Sequence, residues 1–118
     1  MHEFTIAEDS LPFDFFEEIE FDFQDVALEC IKNRFPDLSS AECEQIFEDH
    51  YDLFSDKMFE MRDSSAIYDY HIGEDEVDEG SGTWGYILFE VDDIDKARVN
   101  VAAEAKGLLE EVVKDLVL

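Results

Sequence analysis

From Asp63 to Asp95 the chain contains no lysine or arginine, and this limits what the segment can fold into. Within it, Ile67–Asp95 reads IYDYHIGEDEVDEGSGTWGYILFEVDDID. Two strand-like runs flank Glu74, Asp75, Glu76, Asp78 and Glu79, and a second acidic knot, Asp92, Asp93 and Asp95, follows the second run. Five carboxylates in six residues repel one another and on their own favour a disordered segment. Here they sit among Tyr, Ile, Trp and Phe residues suited to a packed sheet. An ordered scaffold carrying a dense negative field is expected.

The charge is both large and uneven. Thirty-three Asp and Glu face 8 Lys and Arg, a formal net charge of −25 over 118 residues. Residues 1–95 hold 29 acids and 4 bases, a net of −25, whereas residues 96–118 hold 4 of each and are neutral. A folded monomer of this mass exposes roughly 6,600 Å², or about one net charge per ~260 Å². Duplex DNA, taken as a cylinder ~20 Å across, carries about one per ~110 Å². Spread evenly, the protein is less than half as dense as DNA; gathered on half its surface, it comes close. High solubility or a halophilic origin is the plain explanation of such acidity. A field this strong and this local instead suggests a basic partner.

Hydrophobic residues make up 46% of the chain and aromatics 14%, which argues against disorder and for one domain spanning residues 1–118. Cys30 and Cys43 are too few for a disulfide framework and suggest free cytosolic thiols. The N-terminus lacks a signal-like pattern and no apolar run approaches ~18 residues, so a cytoplasmic protein without membrane spans is expected.

Taken in order, Phe4 and Ile6 alternate as in a short strand, and a helix starts near Leu11 with a break before Gln24. A helix over Asp25–Arg34 is stopped by Pro36. Ser39 and Glu42 have the form of a capping box for a second helix over Ser40–Met61. On that helix Glu44, Glu48, Asp52 and Asp56 fall on one stripe. Ala66–Ile72 and Thr83–Val91 are predicted strands joined by a loop of about ten residues. Ile87, Phe89 and Val91 face the core, and Trp84 and Tyr86 are either packed or exposed anchors. Asp92 or Asp93 caps a last helix to about Val117, with an apolar face suited to the core or to a dimer contact. The expected class is α+β, arranged α-α-β-β-α, with a two-stranded antiparallel hairpin packed on helices.

Signatures of catalysis and of cofactor binding fail on inspection. Gly80-Ser81-Gly82 has no lysine and lies among acids, where phosphate is repelled. His2-Glu3 has Ile6 where a zinc-protease motif needs its second histidine. An EF-hand register with Gly80 at position six puts Val77 and Tyr86 at ligand positions. Cys30, Cys43 and His50 match no zinc framework. Carboxylate pairs are so numerous that their spacing discriminates nothing. The expectation is a non-enzyme with no cofactor and no metal.

In size, extreme acidity and compact mixed character, the whole chain resembles the small bacterial and phage DNA-mimic proteins. One of these is a monomer that binds the histone-like nucleoid protein HU; others block restriction enzymes or CRISPR effectors. The likeness rests on character and not on a motif, so no residue carries over by position. It implies a monomer that contacts neither nucleic acid nor membrane and occupies the DNA-binding surface of a basic protein. The first candidate contacts are Glu74, Asp75, Glu76, Asp78, Glu79, Asp92, Asp93 and Asp95. Next come Glu44, Glu48, Asp52, Asp56 and the N-terminal Glu17, Glu18, Glu20 and Asp22. The rival reading is an immunity protein or antitoxin against a basic nuclease, anchored by Trp84 or Tyr86.

Overall fold

Phe4 and Ile6 do form a strand, β1 (His2–Ala7), and it pairs antiparallel with β3 (Gly82–Val91). The other neighbour of β3 is β2 (His71–Glu79), also antiparallel. The order β1-β3-β2 makes a three-stranded sheet with β3 at its centre, one strand more than the expected hairpin. The computed structural model describes residues 2–79 and 82–116, side chains of 77–79 and 82–84 excepted. Among the described residues six α-helices join this sheet around one hydrophobic core, giving the expected α+β class.

Ile6, Ile87, Phe89 and Val91 are buried on one face of the sheet, under the helices. The alternate residues Glu3, Thr5, Tyr86, Leu88 and Glu90 lie on the opposite face, exposed or half-buried. Phe89 is the hinge of the core: its ring lies 5.1 Å from that of Phe15 and 5.8 Å from that of Phe4.

Four of the six helices begin at a capping side chain. Asp22 accepts from Gln24 N–H to start α2 (Phe23–Arg34), after the short α1 (Phe13–Glu18). Ser39 and Glu42 form the reciprocal capping box of α3 (Ser40–Asp49). Asp93 accepts from Lys96 N–H at the start of α6 (Ile94–Lys114). Ala97, Val101, Ala105, Leu109 and Val113 recur every four residues on α6 and are all buried. This stripe makes α6 the central helix, packed on α2, on α4 (Tyr51–Met58) and on α5 (Ser65–Tyr68).

Two expectations change. The helix over Ser40–Met61 is broken at His50, where φ is −117° and ψ 20°, and it ends in a 3-10 segment, Phe59–Asp63. The break splits the acidic stripe, leaving Glu44 and Glu48 on α3 and Asp52 and Asp56 on α4. Of the expected strand Ala66–Ile72, only His71 and Ile72 are strand: Ser64 Oγ accepts from Ala66 N–H to cap α5, and its hydroxyl donates to Glu104 on α6. The strand starts at His71 and runs through the acids placed in a loop.

The end of α1 shows how the acids are used structurally. Phe21 N–H donates to Phe16 O at 2.7 Å and Glu20 N–H to Glu17 O at 3.1 Å, a Schellman turn. The Phe16 and Phe21 rings, 5.0 Å apart, supply its apolar contact. Glu20 holds the left-handed position at φ 57°, normally glycine's. Arg98 Nε donates to Ile19 O at 2.9 Å and its guanidinium reaches Glu20 at 3.3 Å, tying this turn to α6. The ion pair is exposed on the Glu20 side and contributes little. Glu20→Gly is therefore expected to stabilise the fold by about 0.5–1 kcal/mol, read as a raised urea midpoint.

Candidate protein-binding surface

The sheet contains no lysine or arginine, while Glu3, Glu74, Asp75, Glu76, Asp78, Glu79 and Glu90 all lie in its strands. An acidic strand is stable here because β3 satisfies the β2 backbone, pairing Glu74 with Ile87, Asp75 with Tyr86 and Glu76 with Gly85. Alternation sends Glu74 and Glu76 to one face and Asp75 to the other, so same-face carboxylates sit about 7 Å apart. All three are exposed. Each face of the strand therefore carries one charge per ~7 Å, about twice the ~3.4 Å axial spacing of phosphates along one DNA strand, and only the two faces together carry one per residue. Asp78 and Glu79 continue the strand backbone, but their side chains, like that of Trp84, lie outside the described residues.

Glu74, Asp75 and Glu76 share a cleft of about 360 Å³ with Glu8, Tyr68 and Tyr86. A Cβ on Gly85 would lie 3.1 Å from Glu8 Oε2, so the missing side chain lets this carboxylate approach the strand. Glu8 has a distant countercharge, Arg62, at 3.8 Å. Sequence reasoning missed Glu8, Glu3 and Glu90, because they join the surface only through the pairing of β1 with β3. Glu3 and Glu90 stand directly opposite. The Glu3 carboxyl hydrogen-bonds Glu90 and, with Asp92 nearby, holds its pKa above the usual range.

Other predicted contacts have different duties. Asp22 and Asp93 cap helices. Glu20 and Asp95 bind Arg98, the latter at 3.1 Å. Asp92, Glu17 and Glu18 are exposed. Glu44, Glu48, Asp52 and Asp56 are exposed too, but α3 packs mainly on α2 and α4, and α4 on α6, in the helical layer. The structure brings 74–76 together with Glu8 and does not group the helix acids with them.

Several bases are occupied away from the cleft. Lys57 bridges Glu60 and Glu111 at 3.0 and 2.9 Å, Lys106 faces Glu29 at 3.8 Å, and Lys32 donates to Leu38 O. The chain matches no family model, no curated protein and no solved structure. Among the described residues no group of three or more His, Cys, Asp or Glu is placed to hold a metal ion, and no helix is long and apolar enough to cross a membrane. Cys30 and Cys43 are free and buried, and burial pushes the Cys30 thiol up to about 11.

The titration of this surface has a definite sign. Glu90 has a raised folded pKa, so its contribution is complete below the ordinary glutamate value of about 4.3 and is lost as pH rises through the raised one. The Ser39 amide and hydroxyl lower the pKa of Glu42, and Lys57 lowers that of Glu111. Their contributions are complete above the ordinary value and are lost as pH falls through the lowered ones. General self-repulsion adds to the first effect. Stability is expected to peak in mildly acid solution, between the ordinary glutamate value and neutrality, and added salt should raise it at pH 7. Urea midpoints across this range check this; a midpoint rising steadily into alkaline solution contradicts it.

Proposed function

We propose that the chain is a DNA-mimic protein with a non-catalytic role. Its carboxylates stand in for phosphates and occupy the DNA-binding surface of a basic protein, a nucleoid protein such as HU or a restriction or CRISPR-type defence protein. The observation that carries this reading is the run Glu74–Asp75–Glu76, three consecutive exposed carboxylates fixed on a paired strand in a sheet without lysine or arginine. Scale supports it: the longest dimension, 51 Å, equals the rise of about fifteen base pairs at ~3.4 Å each. The surface of 7231 Å² carries 25 net charges, about one per ~290 Å² on average, and the strands exceed that average locally.

Binding of this kind is driven by release of counterions from both partners and weakens steeply with salt. Nucleic acid itself is repelled. The test is a pull-down from host lysate at low and moderate salt with DNA as competitor. Recovery of a DNA-binding protein that is lost on adding DNA or salt is the expected result. The immunity reading has one observation in its favour, the half-buried Tyr86 on the open sheet face, suited to anchoring a single cognate nuclease. A lone, salt-resistant nuclease in the same pull-down would establish that reading instead.

A further inference from the structure

The face of the sheet turned away from the helices is not uniformly acidic. Register between β2 and β3 shifts between His71 and Gly73, a bulge that turns Ile72 outward. Ile72 is 55% exposed, an unusual state for a large aliphatic residue on an ordered strand. Beside it stands Leu88, half-buried on the central strand. Gly73, paired with Leu88, has no side chain to cover it; a Cβ there would lie 3.5 Å from Leu88 Cδ1. Ile72, Leu88, Thr5 and Glu3 line a shallow groove of about 280 Å³. Glu3 and Glu90 rim it on one side and Asp75, paired with Tyr86, on the other.

An apolar centre within a polar rim is the anatomy of a protein-binding surface. The charge of the rim selects the occupant. A second copy of this chain would set Glu3, Glu90 and Asp75 against like groups, between bodies each of net charge −25. We infer that the groove seats an apolar side chain from a basic, amphipathic segment of the partner, with flanking Lys or Arg reaching Glu3, Glu90 and Asp75. This inference rests on the partner being basic, and it adds what a phosphate backbone lacks. Charge then provides attraction that salt removes, and the groove provides an anchor that salt leaves in place.

Two synthetic peptides with identical lysine content test it, one alternating Lys with Leu and the other Lys with Ser, each titrated into the isotope-labelled full chain. The Leu peptide is expected to bind about tenfold more tightly, with amide shifts at Thr5, Ile72 and Leu88. That ratio should persist as salt weakens both peptides. Ile72→Thr keeps a β-branched strand residue, so the fold should persist. It is expected to cut the ratio to about two- or threefold without changing the affinity of the Ser peptide. Equal affinities for the two peptides, or an unchanged ratio in the variant, overturn the groove while leaving the basic-partner reading intact. Failure of both peptides to bind at low salt overturns both.

Discussion

Replacing Glu74, Asp75 and Glu76 together with Gln, Asn and Gln is expected to weaken binding to a basic DNA-binding partner by about ten- to a hundredfold at low salt. The estimate takes about 0.5–1 kcal/mol for each exposed charge contact, so three contacts give about 1.5–3 kcal/mol. The slope of log affinity against log salt should fall by about three, since each contact removed is one fewer ion-release event. Fold stability should hold or rise, because the amides keep the side-chain volume and remove repulsion along an exposed strand. This combination separates a contact surface from a merely soluble one. Glu110→Gln, on the neutral C-terminal segment, is the control and should leave affinity and slope unchanged. Isothermal titration at two salt concentrations gives both quantities. Unchanged affinity in the triple variant would remove β2 from the account.

Phe89→Ala is expected to be the most damaging single substitution in the sheet. Phe89 is fully buried on β3, the central strand of the sheet. Its ring meets Phe4 on β1, Phe15 on α1, Tyr68 on α5 and His71 on β2, the last two at 6.4 Å. Truncation leaves a cavity where four elements converge, at a cost of about 3–5 kcal/mol. Domains of this size are held by only about 5–15 kcal/mol, and the uncompensated acids lower the figure for this one. Phe89→Ala should therefore lose near-UV circular dichroism and its cooperative urea transition in low-salt buffer at 37 °C. Phe89→Leu, which keeps most of the volume, should cost less than Phe89→Ala and retain both signals. A Phe89→Ala midpoint close to that of the parent would mean that the core is not organised around this ring.

What could be read from the sequence was what neighbouring residues decide among themselves. Ser39 with Glu42 and the cap at Asp93 are contacts within one turn, and both are present. Ile87, Phe89 and Val91 alternate in a single strand and do face the core. Pairings distant in the chain were not legible. His2 lies against Val91, and only that register sets Glu3 opposite Glu90 and carries the following turn, with Glu8, towards Gly85. Acid-rich Glu74–Glu79 reads as a loop by propensity, and only pairing with β3 makes it a strand. The same limit applies to the candidate site. Proximity in sequence grouped Asp92, Asp93 and Asp95, yet Asp93 is consumed by a helix cap and Asp95 by Arg98.

The central claim is that these carboxylates compete with DNA for a basic protein. Its most direct test is displacement of fluorescent duplex DNA from a panel of basic DNA-binding proteins, beginning with HU, followed by anisotropy in low salt and again at about fourfold higher salt. The account predicts release of DNA by the chain in low salt for at least one member, with the chain's own affinity for that protein falling by about a hundredfold or more at the higher salt. DNA left bound throughout the panel in low salt, or an affinity indifferent to salt, would contradict it.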